Sequence, residues 1–377
     1  MGKQINPFEL FSYQGPEYFC DREDELSELL QAFGNRRNIL LHSKRRLGKT
    51  NLIQHWHHFL SKNENTICVY LDILNTTTDT EFINSFVTAI VNSLEQGEGG
   101  IMKFLSYFKS LKPQIGVDPI NGTPTFSIQA DTISEIKFSL DAVMGLLMDR
   151  KENIQIAIDE FQQIGNYENT VIDATIRSYF PKAKNIHFLF SGSDQHLLTT
   201  LFSNPSRPLF ASTQMMELHT IGHAPYYEFI KRQFESNGKR IPDIVLHRIL
   251  KWTKQHTFYT HFICNTLYNN TGEEVTESDL KIAMNSVLKQ FEMAYYFFEK
   301  TLSNNQWALL KAIAKEGDAK NLTKKEFLNK YKFSTSSLKQ SLDVLVEKQL
   351  VHEKLNEEEN TYSVYDVFLS RWLENRK

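Results

Sequence analysis

The chain has 377 residues, 41% hydrophobic and 23% charged, with a formal net charge of -3. That length predicts two or three domains, and the near-neutral balance excludes any whole-chain attraction to nucleic acid. Cys20, Cys68 and Cys264 lie far apart without paired metal spacing, the N-terminus has no apolar signal core, and no apolar run could span a bilayer; the expected setting is a reducing cytoplasm with no membrane.

Residues 1–18 read as irregular. A helix follows, with Asp21 as its expected N-cap and Leu26, Leu29, Leu30 and Phe33 on one face. Asn38–Thr50 then reads N-I-L-L-H-S-K-R-R-L-G-K-T. Ile39–Leu41 is a buried strand, and a turn through Gly48, Lys49 and Thr50 leads into a helix from Asn51 to about Leu60. That is the context of a phosphate-binding loop, in which backbone N–H groups at a helix start face anionic oxygens. Lys49 is placed to reach the β- and γ-phosphates, and the Thr50 hydroxyl to hold Mg²⁺. Ser43 stands where the motif takes glycine. Serine fits there if φ is negative; a positive φ would add strain of roughly 1–3 kcal/mol. Lys44, Arg45 and Arg46 either add phosphate affinity or form a solvated turn; Leu47 and Asn51 complete the candidate loop.

Thr66–Asp72 is the next predicted strand, followed by helices at Thr80–Leu94 and 101–111. A hairpin is expected at about 112–131, inserted in the α/β core, and a helix at Ser134–Arg150. Asn153–Glu160 is a strand ending in two carboxylates. Ile186–Gly192 and Gln214–Leu218 follow as strands. Alternating strands and helices predict a parallel sheet, whose ligand sits at the strands' carboxyl ends. The 43–50 loop, Asp72, Asp159, Glu160, Ser191 and Ser193 all fall there. In that setting Asp159 would hold Mg²⁺ through water, and Glu160 would orient and deprotonate the attacking water. Ser191 and Ser193 either contact the γ-phosphate or attacking water, or simply shape a turn. Arg207 is a candidate arginine finger for the same or a neighbouring subunit; its other reading is a surface arginine beside a proline.

After Gly222 the pattern is helical: Tyr226–Asn237, Asp243–Lys254, Tyr259–Asn269 and Glu277–Lys300. Residues 303–377 read as a separable winged helix. Its helices are Asn305–Lys315, Thr323–Tyr331 (with Thr323 and Glu326 as a capping box) and Ser334–Gln349. Leu350–Leu355 and Asn360–Val364 then form a hairpin, closed by Val367–Trp372. Residues 320–339 carry six lysines against one glutamate, a plausible phosphate-binding face. The acidic wing tip at Glu357–Glu359 and the lack of an arginine in Ser334–Ser337 oppose DNA reading, so DNA binding, a protein contact and an autoinhibitory role all stay open.

Together these motifs resemble the archaeal-type predicted ATPases, within the STAND and AAA+-related P-loop NTPases, and most closely their Bacteroides-type members. The resembling stretches are Phe19–Leu26, Ser43–Thr50, Val69–Asp72, Leu111–Pro119, Ala157–Ile164, Phe188–Ser193 and Arg207–Phe210. The resemblance implies a P-loop NTPase, AAA+-like, with an α/β parallel-sheet core (1–221), a helical lid domain (222–300) and a C-terminal winged-helix domain (301–377). It implies an ATP/ADP site using Lys49, Thr50, Asp159 and Glu160 with Mg²⁺, and it places Phe19 and Arg22 near the adenine. Three features depart from the family pattern. Ser43-Lys44 replaces Gly-Pro, Ala211-Ser212 stands where Gly-Arg is frequent, and the lid motif reads His256–His261. The resulting expectation is an ATPase switch coupled to lid and winged-helix movement. A non-hydrolysing nucleotide sensor, a protein-interaction module and a DNA-binding regulator are the alternatives, with oligomerisation open.

Overall fold

Short apolar runs buried on both sides, the mark of interior parallel strands, build the first of two units in the computed structural model, Ser12–Thr220. The structure describes residues 6–63, 65–94, 113–117, 119, 122, 124–128, 130, 132–168, 171–354, 360–374 and 376. Along this unit come β1 (Ile39–His42), β2 (Thr66–Asp72), β3 (Gln114–Val117), β4 (Pro124–Ser127), β5 (Asn153–Asp159), β6 (Ile186–Gly192) and β7 (Gln214–Glu217). β3 and β4 pair antiparallel as the expected hairpin. The other five form one parallel sheet in the order β2-β5-β6-β1-β7. β6 therefore lies between β1 and β5.

Strand alternation divides the core between the two faces of the sheet. Ile39, Leu41, Ala157, Leu189 and Met216 face α1 (Glu23–Gly34) and α2 (Lys49–Leu60), meeting Leu29, Leu52, Ile53 and Trp56. Leu40, Ile156, Ile158, Phe188 and Phe190 face the other way. They meet Phe82 and Phe86 of α3 (Asp79–Leu94), Leu140 of α4 (Ile133–Met148), Ile176 of α5 (Val171–Tyr179) and Phe202 of α6 (Gln195–Ser203).

Sequence patterning does not anticipate α5 and α6. α6 is capped by Asp194, whose side chain accepts the Leu197 N–H at 3.0 Å. The predicted Asp21 cap is overturned. Asp21 and Arg22 take left-handed φ values of 58° and 79°, and α1 starts without a side-chain cap. The helix predicted at 101–111 lies outside the described residues.

The second unit is Ile221–Lys377 with Met1–Phe11, of which residues 6–11 are described. Residues 6–11 thus belong to this second unit, whereas the sequence reading assigns them to the α/β core. Phe8 is the reason. It is fully buried among Phe229, Phe234, His261 and Tyr268, with ring centroids 5.3–6.4 Å away, and Asn265 holds its carbonyl at 2.9 Å. The helices here are α7 (His223–Glu235), α8 (Asp243–Trp252), α9 (Thr257–Asn270), α10 (Glu277–Thr301), α11 (Asn304–Glu316), α12 (Lys325–Tyr331), α13 (Thr335–Glu347) and α14 (Val367–Glu374). β8 (Ala319–Lys320), β9 (Val351–Lys354) and β10 (Thr361–Val364) form an antiparallel sheet, β8-β10-β9. The set from α11 to α14 with this sheet is a winged helix; its predicted acidic wing tip lies outside the described residues.

Residues 303–377 share their core with the preceding helices rather than standing apart. Phe368 of α14 packs on Trp252, Tyr259, Phe262 and Phe291, and the Arg371 Nε donates to the Trp252 carbonyl at 2.9 Å. The predicted capping box at Thr323 and Glu326 is also overturned, because α12 begins at Lys325 with Lys324 as an N-cap that makes no side-chain bond. Reciprocal boxes occur instead at Thr276 with Asp279 and at Ser303 with Gln306. Cys20 and Cys264 are buried and Cys68 is half-buried, all as free thiols. Among the described residues no helix is long and apolar enough to cross a membrane.

The caps make a paired prediction. Thr276→Ala is expected to cost about 1 kcal/mol by losing a real N-cap, whereas Thr323→Ala stays within about 0.5 kcal/mol. Urea unfolding followed by tryptophan fluorescence measures both, and an equal cost for the two contradicts the observed caps.

Candidate nucleotide site

The loop after β1 is shaped by two left-handed residues, Arg46 at φ 63° and Gly48 at φ 99°. Gly48 is the N-cap of α2, so the turn it allows delivers Lys49 and Thr50 at the helix start. Leu47 anchors the loop by burying its side chain against the α2 side of the sheet. Ser43 is 1% exposed and is not among the residues with positive φ, so the strained alternative does not arise. Its hydroxyl donates to the Lys44 carbonyl at 2.8 Å. Arg45 and Arg46 are exposed, Lys44 and Asn51 half-buried.

Lys49 is the electrostatic centre. It is 5% exposed, donates to Ser43 Oγ at 3.4 Å, and forms no ion pair among the described residues. Burial pushes its ammonium pKa down, with Asp159 and Glu160 pulling the other way. A buried cation without a paired anion is costly, and a phosphate entering the loop would supply that anion.

The carboxylates converge through strand geometry. Tyr70 and Asp72 of β2 share a face with Ala157 and Asp159 of β5, the face that carries α2. Thr50 Oγ1 donates to Asp159 Oδ2 at 2.6 Å, and Tyr70 OH donates to the same atom at 3.1 Å. The Glu160 N–H donates to Asp159 Oδ1 at 3.0 Å. Glu160 takes a left-handed φ of 55°, the kind of strain that collects at functional sites. Its Oε2 accepts from Ser193 Oγ at 3.2 Å and from the Gln162 amide. Asp72 has its carboxyl pKa pushed up, by burial first and also by Asp159 and Glu160. Among the described residues no group of three or more His, Cys, Asp or Glu could by itself hold a metal ion; Thr50 and Asp159 present oxygen atoms, the ligand type that Mg²⁺ takes.

Ser191, opposite Leu41 in the sheet, is fully buried, and its hydroxyl has no partner among the described residues. Arg207 is engaged elsewhere, in an ion pair at 3.0 Å with the buried Asp173 of α5. Just beyond it, Ala211 adopts φ 48°, a conformation glycine favours. Phe19 stacks on His55 of α2 with centroids 4.0 Å apart. Arg22 is 5% exposed and braces the start of α1, bonding Glu25 and the His219 carbonyl, each at 2.6 Å. Sequence reasoning singles out neither Tyr70 nor Gln162; strand alternation places Tyr70 on the side of Asp72 but does not show that it meets Asp159.

The family described as an ATPase domain predominantly from Archaea matches residues 19–255, and a probable winged helix domain matches residues 293–375. The chain belongs to that ATPase family. It is a nucleotide-binding ATPase with a P-loop, AAA+-like fold and a C-terminal winged helix. A Walker-type ATPase of Pyrococcus abyssi superposes with a TM-score of 0.67 at 18% identity, over 97% of this chain and 99% of that one. The Aeropyrum pernix ORC2 protein, in ADPNP–ADP complexes, gives 0.61 at 13% identity, over 99% and 96%. The Aeropyrum pernix ORC1 protein in complex with DNA gives 0.51 at 10% identity, over 99% and 96%. These likenesses are of fold. No curated protein matches the sequence.

The depressed Lys49 pKa makes a prediction with a definite sign. Phosphate oxygens favour the charged ammonium, so nucleotide raises this pKa. Between the pKa of the free protein and the higher pKa of the complex, ADP binding therefore takes up a proton, and affinity falls as pH rises through that window. Calorimetry in buffers of different ionisation enthalpy measures the uptake; a buffer-independent enthalpy at alkaline pH means that Lys49 does not meet the phosphates.

Proposed function

We propose that this ATPase is a slowly hydrolysing, Mg²⁺-dependent nucleotide switch. The observation that carries the reading is the hydrogen-bonded set Thr50–Asp159–Glu160 beside the buried Lys49, which has no ion pair among the described residues. Backbone N–H groups of 43–50 and the Lys49 ammonium hold the phosphates. Thr50 and Asp159 hold Mg²⁺, which when bound neutralises charge on the phosphate oxygens. Glu160 accepts a proton from the attacking water, and the Ser191 hydroxyl is available to the γ-phosphate. Phe19 and Arg22 belong to the segment beside the adenine.

Two features favour slow turnover. Glu160 Oε2 rests on Ser193 and Gln162, and has to leave them to serve as a base. Arg207 is held by Asp173, so a finger arginine comes from a neighbouring subunit or requires that ion pair to break. Nucleotide state then biases the helices and winged helix of the second unit, in a cytoplasmic protein with no membrane role.

Turnover by Glu160→Gln is expected to fall about 10²- to 10⁴-fold, the range for a lost general base, while ADP affinity is retained. Phosphate release at the same rate from wild type and variant would leave the non-hydrolysing sensor as the surviving reading.

The winged helix supports a second reading, DNA binding through 320–339. Lys320, Lys324, Lys325, Lys332 and Lys339 are exposed, whereas Lys330 is engaged by Glu316 at 2.7 Å. A neighbour of similar fold is described in complex with DNA. Replacing Lys324 and Lys325 by alanine is expected to reduce the salt slope of duplex binding by roughly 0.9 for each phosphate that is no longer neutralised. A flat salt response in wild type favours a protein partner for this face.

A further inference from the structure

We propose that Tyr70 is a positioning residue for Asp159, fixing the carboxylate that holds the divalent cation. The inference rests on the reading of Asp159 as a metal-binding group.

Tyr70 lies on β2 opposite Ala157 of β5, two residues before Asp159. Strand alternation puts Tyr70 and Asp159 on the same face, so the phenol reaches the carboxylate across neighbouring strands. An ionised carboxylate only accepts hydrogen bonds, so the hydroxyl is the donor. It meets Oδ2 at 3.1 Å, the atom that Thr50 Oγ1 meets at 2.6 Å. Oδ1 accepts the Glu160 N–H at 3.0 Å.

A carboxylate offers about four lone-pair positions. Among the described residues three are taken, two on Oδ2 and one on Oδ1. The position left over is on Oδ1, which gives the cation or its bound water one side from which to approach. Tyr70 has a specific part in this. Without it Oδ2 is held by Thr50 alone, and Thr50 must also turn a lone pair toward the metal. Among the described residues the carboxylate then keeps only the bonds from Thr50 Oγ1 and the Glu160 N–H, one on each oxygen, and the cation has a less firmly fixed ligand. The Tyr70 ring is half-buried beside the core layer that holds Leu52 and Trp56. Phenylalanine would keep that packing and remove the hydroxyl alone.

Partners that orient a metal-binding group are worth about 10- to 100-fold in metal affinity. The test is Tyr70→Phe, titrated with ADP in EDTA and then with Mg²⁺ at saturating ADP, by calorimetry. ADP affinity in EDTA is expected to match wild type, which also shows that the variant is folded. The Mg²⁺ concentration for half-saturation is expected to rise at least tenfold. In an Asp159→Asn background the same change is expected to have no further effect, since the group it positions is gone. An unchanged Mg²⁺ requirement in Tyr70→Phe overturns the proposal while leaving Asp159 as a metal-binding group. So does an equal shift in the Asp159→Asn background, which assigns the effect to packing. A wild type whose ADP complex takes up no Mg²⁺ overturns the parent reading, and this one with it.

Discussion

The hydrogen bond from Thr50 to Asp159 ties the start of α2 to the end of β5, across 109 residues of sequence. Much of the site depends on this joint. It forms because the sheet is parallel, so strand ends that follow different helices emerge at one edge. With β6 between β1 and β5, Ser43, Ser191 and Asp159 come from successive strands in space. The same face of the sheet carries α2 and its buried lysine. Placing a cation there without an ion pair is costly in isolation. The cost becomes selectivity when the group that relieves it is a phosphate.

Backbone strain is distributed unevenly around this joint. The substitution that stands out in the sequence, serine for glycine at position 43, falls where no positive φ is needed. The left-handed conformations fall on Arg46 and Gly48 in the loop and on Glu160 after the strand. Ala211 is a further non-glycine case. The departure at 43 is thus conformationally silent. At 211 an alanine side chain stands in a conformation that glycine favours.

Ile186–Gly192 was legible to the residue because a parallel strand covered on both faces reads as an unbroken apolar run; the edge strand Thr66–Asp72, only partly buried, also matches to the residue. The turn that brings Lys49 and Thr50 to a helix start and the strand end at Asp159 were legible because a strand, a turn and a helix start are local patterns. Helix caps were less so. A cap is a backbone geometry as well as a residue type, and Asp21 has the type without the geometry, whereas Asp194 has both. α5 and α6, at nine residues each, are too short for periodicity to separate from a loop. The placement of Phe8 and of Tyr70 depends on contacts with residues far away in sequence. No local pattern announces the hydrogen bond from Tyr70 to Asp159, since it exists only once β2 lies beside β5.

The most direct measurement is a calorimetric titration of the purified chain with ATP and Mg²⁺, set beside Lys49→Ala. A saturable isotherm for wild type and a loss of at least tenfold in affinity for the variant are the expected results. Equal affinity in the two proteins, or no binding of ATP by wild type, contradicts a phosphate site built around Lys49.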